Sequence, residues 1–285
     1  MSMPRICNLA EAIAEFVGDG MCIALEGFTH LIPFAAGHEI IRQRRRDLHL
    51  VRMTPDLVYD QMIGMGCARK LSFSWGGNPG VGSLHRLRDA VEHGWPQPLQ
   101  LDEHSHAGMA AAFCAGAARL PFGLLRGYQD NDLAAHNPRI RHVHCPFSGE
   151  RLAAVPALNP DVTILHAQRA DREGNVAIHG IVGAAREAAL AAKTLLVTVE
   201  EIVDALPPAM NGIVLPYWVV AAVVACPGGA YPSYAQGHYA RDNAFYQHWD
   251  EIGRDRQRFL AWIDRHVLGT ADHRGFLDSL HREAA

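Results

Sequence analysis

The fold is indicated most clearly by the stretch Met21-Cys22-Ile23-Ala24-Leu25-Glu26-Gly27-Phe28-Thr29. It begins with five apolar residues in a row, which is typical of a strand that helices cover on both faces. Glu26 ends this run, and Gly27 allows a tight turn directly after it. In open α/β sheets, ligands bind beyond the carboxyl ends of the strands. The stretch therefore predicts a buried strand that ends in a functional turn.

Strands and helices are predicted to alternate on both sides of this stretch. Asn8-Leu9-Ala10-Glu11 has the spacing of a capping box and begins a helix, and Pro33 begins another. The other predicted elements are strands at residues 48–53, 71–75, 162–166, 194–199 and 219–226, and helices at residues 83–92 and 184–192 and after Thr54-Pro55-Asp56. This alternation predicts an α/β fold with an open, mainly parallel sheet and flanking helices.

Two regions do not show a clear alternation. Residues 127–160 have little periodicity and are predicted to wind across the surface. Residues from about 250 to 285 are predicted to form helices that pack on the outside as a C-terminal extension. Because no Pro- or Ser-rich linker divides the chain, residues 1–285 are predicted to form a single domain.

The composition argues against several classes of protein. Hydrophobic residues make up 49% of the 285 residues and charged residues 20%, as in globular rather than disordered proteins. The net charge of −4 argues against a nucleic-acid-binding surface. No apolar stretch reaches membrane-spanning length, and the N-terminus shows no signal-peptide core. We therefore expect a cytoplasmic protein with no membrane or nucleic-acid partner.

The sequence does not contain a recognisable metal-binding motif. Its six cysteines are scattered, without a C-x-x-C pair. His38-Glu39 begins like a zinc-protease motif, but Arg42 stands where the second histidine would be. His104-Ser105-His106 and His142-Val143-His144 each bring two imidazoles together, but without a third ligand nearby. We predict hydrogen-bonded or surface histidines and no metal site.

A glycine-rich loop, Gly77-Asn78-Pro79-Gly80-Val81-Gly82, follows the strand predicted at residues 71–75. Its glycines match neither a P-loop nor the dinucleotide-binding fingerprint. Its backbone N–H groups could bind an anion or a carbonyl oxygen, and a turn without a ligand is the alternative. The carboxylates that could act as a base or a nucleophile are Glu26, Glu103, Glu200 and Glu201. These residues alone indicate an α/β enzyme or part of one.

Residues 19–33 resemble the first signature of class I coenzyme A transferases. The matching positions are Asp19, Gly20, Ile23, Ala24, Leu25, Gly27, Phe28 and Pro33. Glu26 and Leu31 stand where that signature usually has glycine. Further segments similar to the A-type (alpha) subunits of this family are residues 77–82, 120–122, 166–175, 198–203 and 227–233. Residues 25–33 and Glu103-His104-Ser105-His106 are most similar to the branch that acts on 3-oxoadipate, where Glu26 is normal, and the chain is also similar to the glutaconate branch.

The resemblance implies a fold of the CoA-transferase (NagB-like) type and a reaction. CoA would move from succinyl-CoA to a small dicarboxylic 3-oxo acid such as 3-oxoadipate, a step of aromatic degradation through the β-ketoadipate pathway. The family carries CoA as a glutamyl thioester on a B-type (beta) subunit, within a Ser-Glu-Asn-Gly context that is absent here. We therefore expect no catalytic nucleophile in this chain, a B-type partner in an A2B2 or larger assembly, and a CoA thioester as substrate without a permanently bound cofactor.

The resemblance also implies a substrate-binding site in this chain. Its expected residues are Glu26, Gly27, Phe28, Thr29, Asn78, Gly80, Val81, Gly82, Glu103 and Ser105. The N–H groups of Gly27-Phe28 and Gly80-Val81 would polarise the thioester carbonyl. Three alternatives remain open: a ring-opening hydrolase of CoA thioesters whose base is a glutamate of this chain, a glutaconate-type transferase, and a binding or regulatory protein on the same scaffold.

Overall fold

The computed structural model describes residues 3–129, 131–208 and 211–284. The strands are β1 (Arg5–Ile6), β2 (Cys22–Glu26), β3 (Leu48–Val51), β4 (Ala68–Phe73), β5 (Gln100–Glu103), β6 (Phe122–Leu125), β7 (Arg141–His144), β8 (Arg151–Pro156), β9 (Val162–Asp171), β10 (Val176–His179), β11 (Thr194–Val203), β12 (Gly212–Leu215) and β13 (Ala222–Ala225). The helices are α1 (Leu9–Phe16), α2 (Phe34–Arg42), α3 (Leu57–Gly64), α4 (His85–Glu92), α5 (His106–Ala117), α6 (Asp132–His136), α7 (Ala185–Ala191), α8 (Asn243–Arg254), α9 (Arg256–Ile263) and α10 (His273–Ala284).

The large central sheet has the strand order β1-β13-β11-β9-β2-β3-β4-β5. Every neighbouring pair along this order is parallel. The exception is β10, which pairs antiparallel with β9 and with β12 at one side. The predicted α/β fold with a mainly parallel sheet and flanking helices is confirmed.

The central position of β2 explains its unbroken apolar sequence. Its side chains alternate between the two faces of the sheet, as in any strand. Ile23 and Leu25 enter the main core beside α2 and α3, whereas Ala24 enters a second core that contains Met109 and Phe113 of α5. Because helices cover both faces, neither face of this strand can be polar.

The prediction for residues 127–160 was wrong. Instead of winding across the surface, this segment contains α6, β7 and β8, and β8 pairs with β6 and β7 in a small antiparallel sheet. Ala153 and Val155 are fully buried there and pack with Phe113 of α5. The short strands have one buried face and carry many His and Arg residues, so their apolar periodicity is weak.

The C-terminal helices α8 to α10 contribute aromatic side chains to the main core. Trp249 and Phe259 are buried with Trp262 and Phe276, and the ring centroids of Trp249 and Trp262 lie 4.9 Å apart. A π-helical turn, Asp264–Leu268, follows α9. Across the described ranges, the helices fall short of the length and apolarity required to cross a membrane.

Candidate active site

The carboxyl ends of β2, β3, β4 and β5 lie side by side at one edge of the sheet, because these strands are parallel neighbours. Glu26 ends β2, Arg52 and Met53 follow β3, and Glu103 ends β5 opposite Phe73 of β4. The strand order thus brings segments that are far apart in sequence to the edge where ligands bind in such sheets. We call it the carboxyl edge.

Glu26 is a buried carboxyl group at this edge. Its Oε1 accepts the Met53 N–H at 3.3 Å, and the carboxyl also accepts the N–H of Gly27. Burial raises the pKa of Glu26 to about 7, although the Arg52 guanidinium and both N–H groups act in the opposite direction. The side chain therefore fixes the backbone at the ends of two strands and can hold a proton near neutral pH.

Arg52 is also buried, and it supports the turn after β2. It donates to the Gly27 carbonyl at 2.6 Å and forms an ion pair of 3.1 Å with Asp56, which is equally buried. A buried guanidinium is costly unless its charge is paired, and Asp56 provides the opposite charge here. This pair therefore holds the Gly27 carbonyl in one orientation.

The turn at residues 27–31 is tight and strained. A Cβ on Gly27 would lie 2.7 Å from the Leu31 carbonyl oxygen, so only glycine fits. Thr29 and Leu31 have φ values of 56° and 53°, in the left-handed region that L-residues rarely adopt. Two bonds hold them there: Ser233 Oγ donates to the Thr29 carbonyl at 3.0 Å, and the Leu31 N–H donates to the Tyr234 carbonyl at 2.9 Å. Such strain persists where surrounding contacts over-determine the backbone.

His30 connects this turn to two neighbouring segments, a role that we did not predict. Its Nε2 accepts the Gln236 N–H at 3.0 Å, and its Nδ1 lies 3.4 Å from the Ile181 carbonyl. Burial lowers the pKa of His30 to about 4. The ring is therefore neutral at physiological pH, with its proton on Nδ1 facing the Ile181 carbonyl. Only tertiary structure could reveal this, since both partners lie more than 150 residues away in sequence.

An apolar cavity of about 370 Å³ opens beside this turn. Its apolar lining includes Phe28, Met53, Phe113 of α5 and Ile181. His106, at the start of α5, and Glu187, on α7, add polar groups. A largely apolar cavity with a few polar groups suits the uncharged part of a small ligand.

The glycine-rich loop after β4 is folded on itself. Asn78 donates its side-chain amide to the Tyr246 carbonyl at 2.7 Å, and its backbone N–H donates to the Gly82 carbonyl at 2.8 Å. The Val81 N–H donates to the Asn78 carbonyl at 3.0 Å. Gly80 has a φ of 78°, and a Cβ added to it would meet open space. Of the N–H groups predicted to polarise a carbonyl, those of Gly27 and Val81 are therefore already bonded within the chain.

The remaining predicted residues follow β5. Glu103 is exposed at the carboxyl edge. Ser105 caps α5: its Oγ accepts the Gly108 N–H at 3.1 Å. Of the predicted residues, Phe28 thus lies in the cavity wall and Glu26 and Gly27 directly precede it in the chain, whereas Asn78 to Gly82 follow β4 and Glu103 ends β5.

Among the described residues, no group of three or more His, Cys, Asp and Glu side chains is close enough to hold a metal ion. His104 bonds Asp102 at 3.0 Å instead, and His166 bonds Glu200 at 2.6 Å. Glu201 forms an ion pair with Arg169. Two of the four candidate carboxylates, Glu200 and Glu201, therefore already have side-chain partners.

The family model of coenzyme A transferases matches residues 6–225. This chain belongs to the coenzyme A transferase family. The match includes the carboxyl edge, both glycine turns and β9 to β13, which agrees with the resemblance seen in residues 19–33.

Three relatives of this coenzyme A transferase chain are informative. It is 63% identical to the A-type subunit of the 3-oxoadipate CoA-transferase of Pseudomonas knackmussii, over 96% of this chain and 97% of that protein. It is 32% identical to the A-type subunit of the glutaconate CoA-transferase of Acidaminococcus fermentans, over 98% and 92%. The crystal structure of that glutaconate enzyme matches with a TM-score of 0.88 and 30% identity, over 96% and 92%. The cholesterol ring-cleaving hydrolase IpdA subunit of Rhodococcus jostii is 30% identical over 93% and 92%.

Proposed function

We propose that this chain is the A-type subunit of an enzyme that transfers CoA from succinyl-CoA to 3-oxoadipate. The observation that carries the proposal is the 63% identity, over nearly the whole length of both chains, to the A-type subunit of a 3-oxoadipate CoA-transferase. The product would be 3-oxoadipyl-CoA, formed in aromatic degradation through the β-ketoadipate pathway.

The proposed chemistry needs a second chain. One glutamate must attack the acyl carbonyl of succinyl-CoA, which gives a mixed anhydride and the CoA thiolate. The thiolate then attacks the glutamyl carbonyl and releases succinate, so that the glutamate carries CoA as a thioester to the acceptor acid. Glu26 is only 4% exposed and its carboxyl already accepts two backbone N–H groups, so it is poorly placed to attack. We propose that a B-type subunit supplies the nucleophilic glutamate, in an A2B2 or larger assembly.

This chain would provide the binding half of the site. The cavity beside Phe28 would hold an uncharged part of the thioester. With the N–H groups of Gly27 and Val81 engaged elsewhere, those of Phe28 and Gly80 remain the candidates for polarising its carbonyl. No permanently bound cofactor is needed, because the thioester itself supplies the driving force.

The proposal is tested by activity with and without the partner. Co-expression with the B-type subunit should give transfer of CoA from succinyl-CoA to 3-oxoadipate. The assay measures the formation of 3-oxoadipyl-CoA. The purified single chain should give none. Transfer by the single chain, or a complex active on glutaconate but not on 3-oxoadipate, would contradict it.

The site of covalent chemistry gives a second test. Hydroxylamine should inactivate the complex only when succinyl-CoA is present, and the modified residue should be a glutamate of the B-type subunit. Modification of Glu26 or Glu103 would place the nucleophile in this chain instead.

A hydrolase is the second candidate, favoured by the exposed Glu103 at the carboxyl edge and by the likeness to the IpdA hydrolase chain. Such a hydrolase would open the ring of a cyclic CoA thioester with water, and it would turn over without any acceptor acid. Turnover that depends strictly on an acceptor would exclude this candidate.

A further inference from the structure

The turn between β5 and α5 is hydrogen-bonded at both ends to residues between β6 and β7, the segment that links two strands of the small sheet. On one end, the Ser105 N–H donates to the Tyr128 hydroxyl at 2.7 Å. On the other, the Asn137 side-chain amide donates to the Glu103 carbonyl at 2.7 Å. Tyr128 and Asn137 are 4% and 8% exposed, so both bonds are partly shielded from water.

The surroundings of Tyr128 are shaped for this contact. A Cβ on Gly108 would lie 1.9 Å from the Tyr128 hydroxyl oxygen, so α5 leaves room for the hydroxyl only because glycine is there. Tyr128 itself has a φ of 66°, which is unusual for a bulky residue. Strained conformations of this kind persist where the contacts around them fix the backbone, and they cluster at functional sites.

Asn137 is anchored as firmly. Its Oδ1 accepts the Arg139 N–H at 2.9 Å, and its Nδ2 also donates to Asp102 Oδ1 at 3.1 Å. Its side chain therefore has one orientation, set by the segment it belongs to and by β5. The amide joins the Glu103 carbonyl to the carboxylate of the residue before it.

Asp102, on β5 of the central sheet, also stabilises this turn. It accepts hydrogen bonds from Ser72 of β4 at 2.8 Å and from His104 at 3.0 Å. Although burial opposes ionisation, the bonds from His104 and Ser72 hold the pKa of Asp102 well below its usual range. A permanently charged acceptor thus lies directly before the turn, and the buried network around it favours a single arrangement.

We propose that Tyr128 and Asn137 are positioning residues for catalysis. By fixing the turn of residues 103–105, they present Glu103 at the carboxyl edge and set the start of α5, where His106 forms part of the cavity wall. The proposal rests on the proposed CoA-transferase function. The segment that contains the small sheet would then have a role in positioning the site.

The test uses the complete complex with the B-type subunit. Tyr128→Phe removes one oxygen atom, and Asn137→Ala removes the bridging amide. The control is Gln129→Ala, which removes a 2.7 Å bond to the Arg151 carbonyl in the same segment without touching the turn. We expect kcat to fall about 10- to 100-fold in the first two variants, because small misplacements in a site have effects of this size. The KM for succinyl-CoA should stay within about twofold, and the control should resemble the wild type.

Hydrogen exchange separates positioning from general destabilisation. Amides of residues 103–107 should exchange faster in Tyr128→Phe and Asn137→Ala, while those of β9 and β11 exchange as in the wild type. An unchanged kcat in Tyr128→Phe, or faster exchange throughout the sheet, would overturn the proposal. If Asn137→Ala does not assemble, Tyr128→Phe decides alone.

Failure of the proposed function would look different. A wild-type complex without activity on 3-oxoadipate would disprove that function, and the exchange of residues 103–107 would still show whether Tyr128 and Asn137 fix the turn.

Discussion

At the scale of single residues, Glu26 combines burial with an unusual charge environment. The nearby Arg52 directs its guanidinium to the Gly27 carbonyl and to Asp56, so Glu26 has only backbone donors as hydrogen-bond partners close by. A carboxyl group in this situation is easier to keep protonated than charged. This makes the stability of the chain depend on pH through one residue.

Glu26→Gln tests that dependence. The folded-state pKa of Glu26, about 7, is above the ordinary value of 4.5, so the folded chain loses stability as pH rises from about 4.5 to 7 and does not regain it above 7. Glutamine keeps an oxygen for the Met53 N–H but cannot ionise. We expect the free energy of unfolding of the variant to rise relative to that of the wild type as pH increases, by up to about 3 kcal/mol at pH 8.

Urea unfolding of both proteins at pH 5 and pH 8 measures this difference. Glu103→Gln is the control, because that carboxyl is exposed at the end of β5, two strands beyond the neighbour of β2, and a surface substitution there should change the stability little. A stability difference between Glu26→Gln and the wild type that is equal at both pH values would disprove the assigned charge environment.

The sequence could predict that Glu26 lies at a strand end but not what it touches. Its place follows from the apolar run before it and the glycine after it. Its bond to Met53 depends on the pairing of β2 with β3, which local patterns do not contain. For the same reason, the engaged N–H groups of Gly27 and Val81 could not be foreseen.

At the scale of elements, α4 is capped by a different helix. Leu84 precedes α4 and offers no side-chain cap. Asp60 of α3 replaces it: Oδ1 accepts the N–H groups of Arg86 and Leu87 at 2.8 and 2.9 Å, and Oδ2 accepts the indole N–H of Trp249 at 3.3 Å. One fully buried carboxylate thus joins α3, α4 and α8.

Asp60→Ala should therefore destabilise the chain markedly. Three donors would lose their acceptor, two of them at a helix start where capping matters, and we expect a loss of about 3 kcal/mol in the free energy of unfolding. Asp60→Asn keeps one oxygen for Arg86 and Leu87 and should lose about 1 kcal/mol.

Denaturant unfolding measures the free energy of unfolding of Asp60→Ala and Asp60→Asn. The control is Asp278→Ala, which removes an exposed acidic side chain of α10. If Asp60→Ala were as stable as Asp278→Ala, the capping role would be refuted.

Elements differed in how well local patterns indicated them. β2, β9 and β11 are buried on both faces, and their apolar runs predicted where they begin; β9 and β11 continue to Asp171 and Val203, beyond the predicted ends at residues 166 and 199. The strand β7 has the sequence Arg141-His142-Val143-His144, in which three of the four residues are polar, so its place in the small sheet is decided by pairing with β8 rather than by its own hydrophobicity.

At the scale of the whole molecule, the C-terminal helices and the sheet share one core. Phe259 of α9 is fully buried and meets Trp95 and Trp249, at centroid distances of 6.3 and 6.0 Å. Its neighbour Leu260 is 42% exposed. Adjacent residues of one helix therefore provide a matched pair for measuring what this shared core contributes.

Phe259→Ala should lower the free energy of unfolding of the entire chain by about 3 to 5 kcal/mol, as expected for a buried aromatic. Leu260→Ala should change it by about 0.5 kcal/mol or less. The measurement is thermal unfolding monitored by circular dichroism. In the wild type, α8 to α10 and the sheet should unfold in one transition. A separate early transition in Phe259→Ala would show instead that these helices are an independent unit.

The position of β2 in the strand order also has a consequence for synthesis on the ribosome. One edge of β2 pairs with β3, which emerges soon after it, but the other pairs with β9, where Ile23 faces Val162. Until residue 162 and its neighbours have left the ribosome, the apolar strand that leads into the turn at residues 27–31 keeps an unpaired edge, which invites association with other chains. The nascent chain is therefore exposed to aggregation from the emergence of β2 until the emergence of β9, and it should depend on chaperones during that interval.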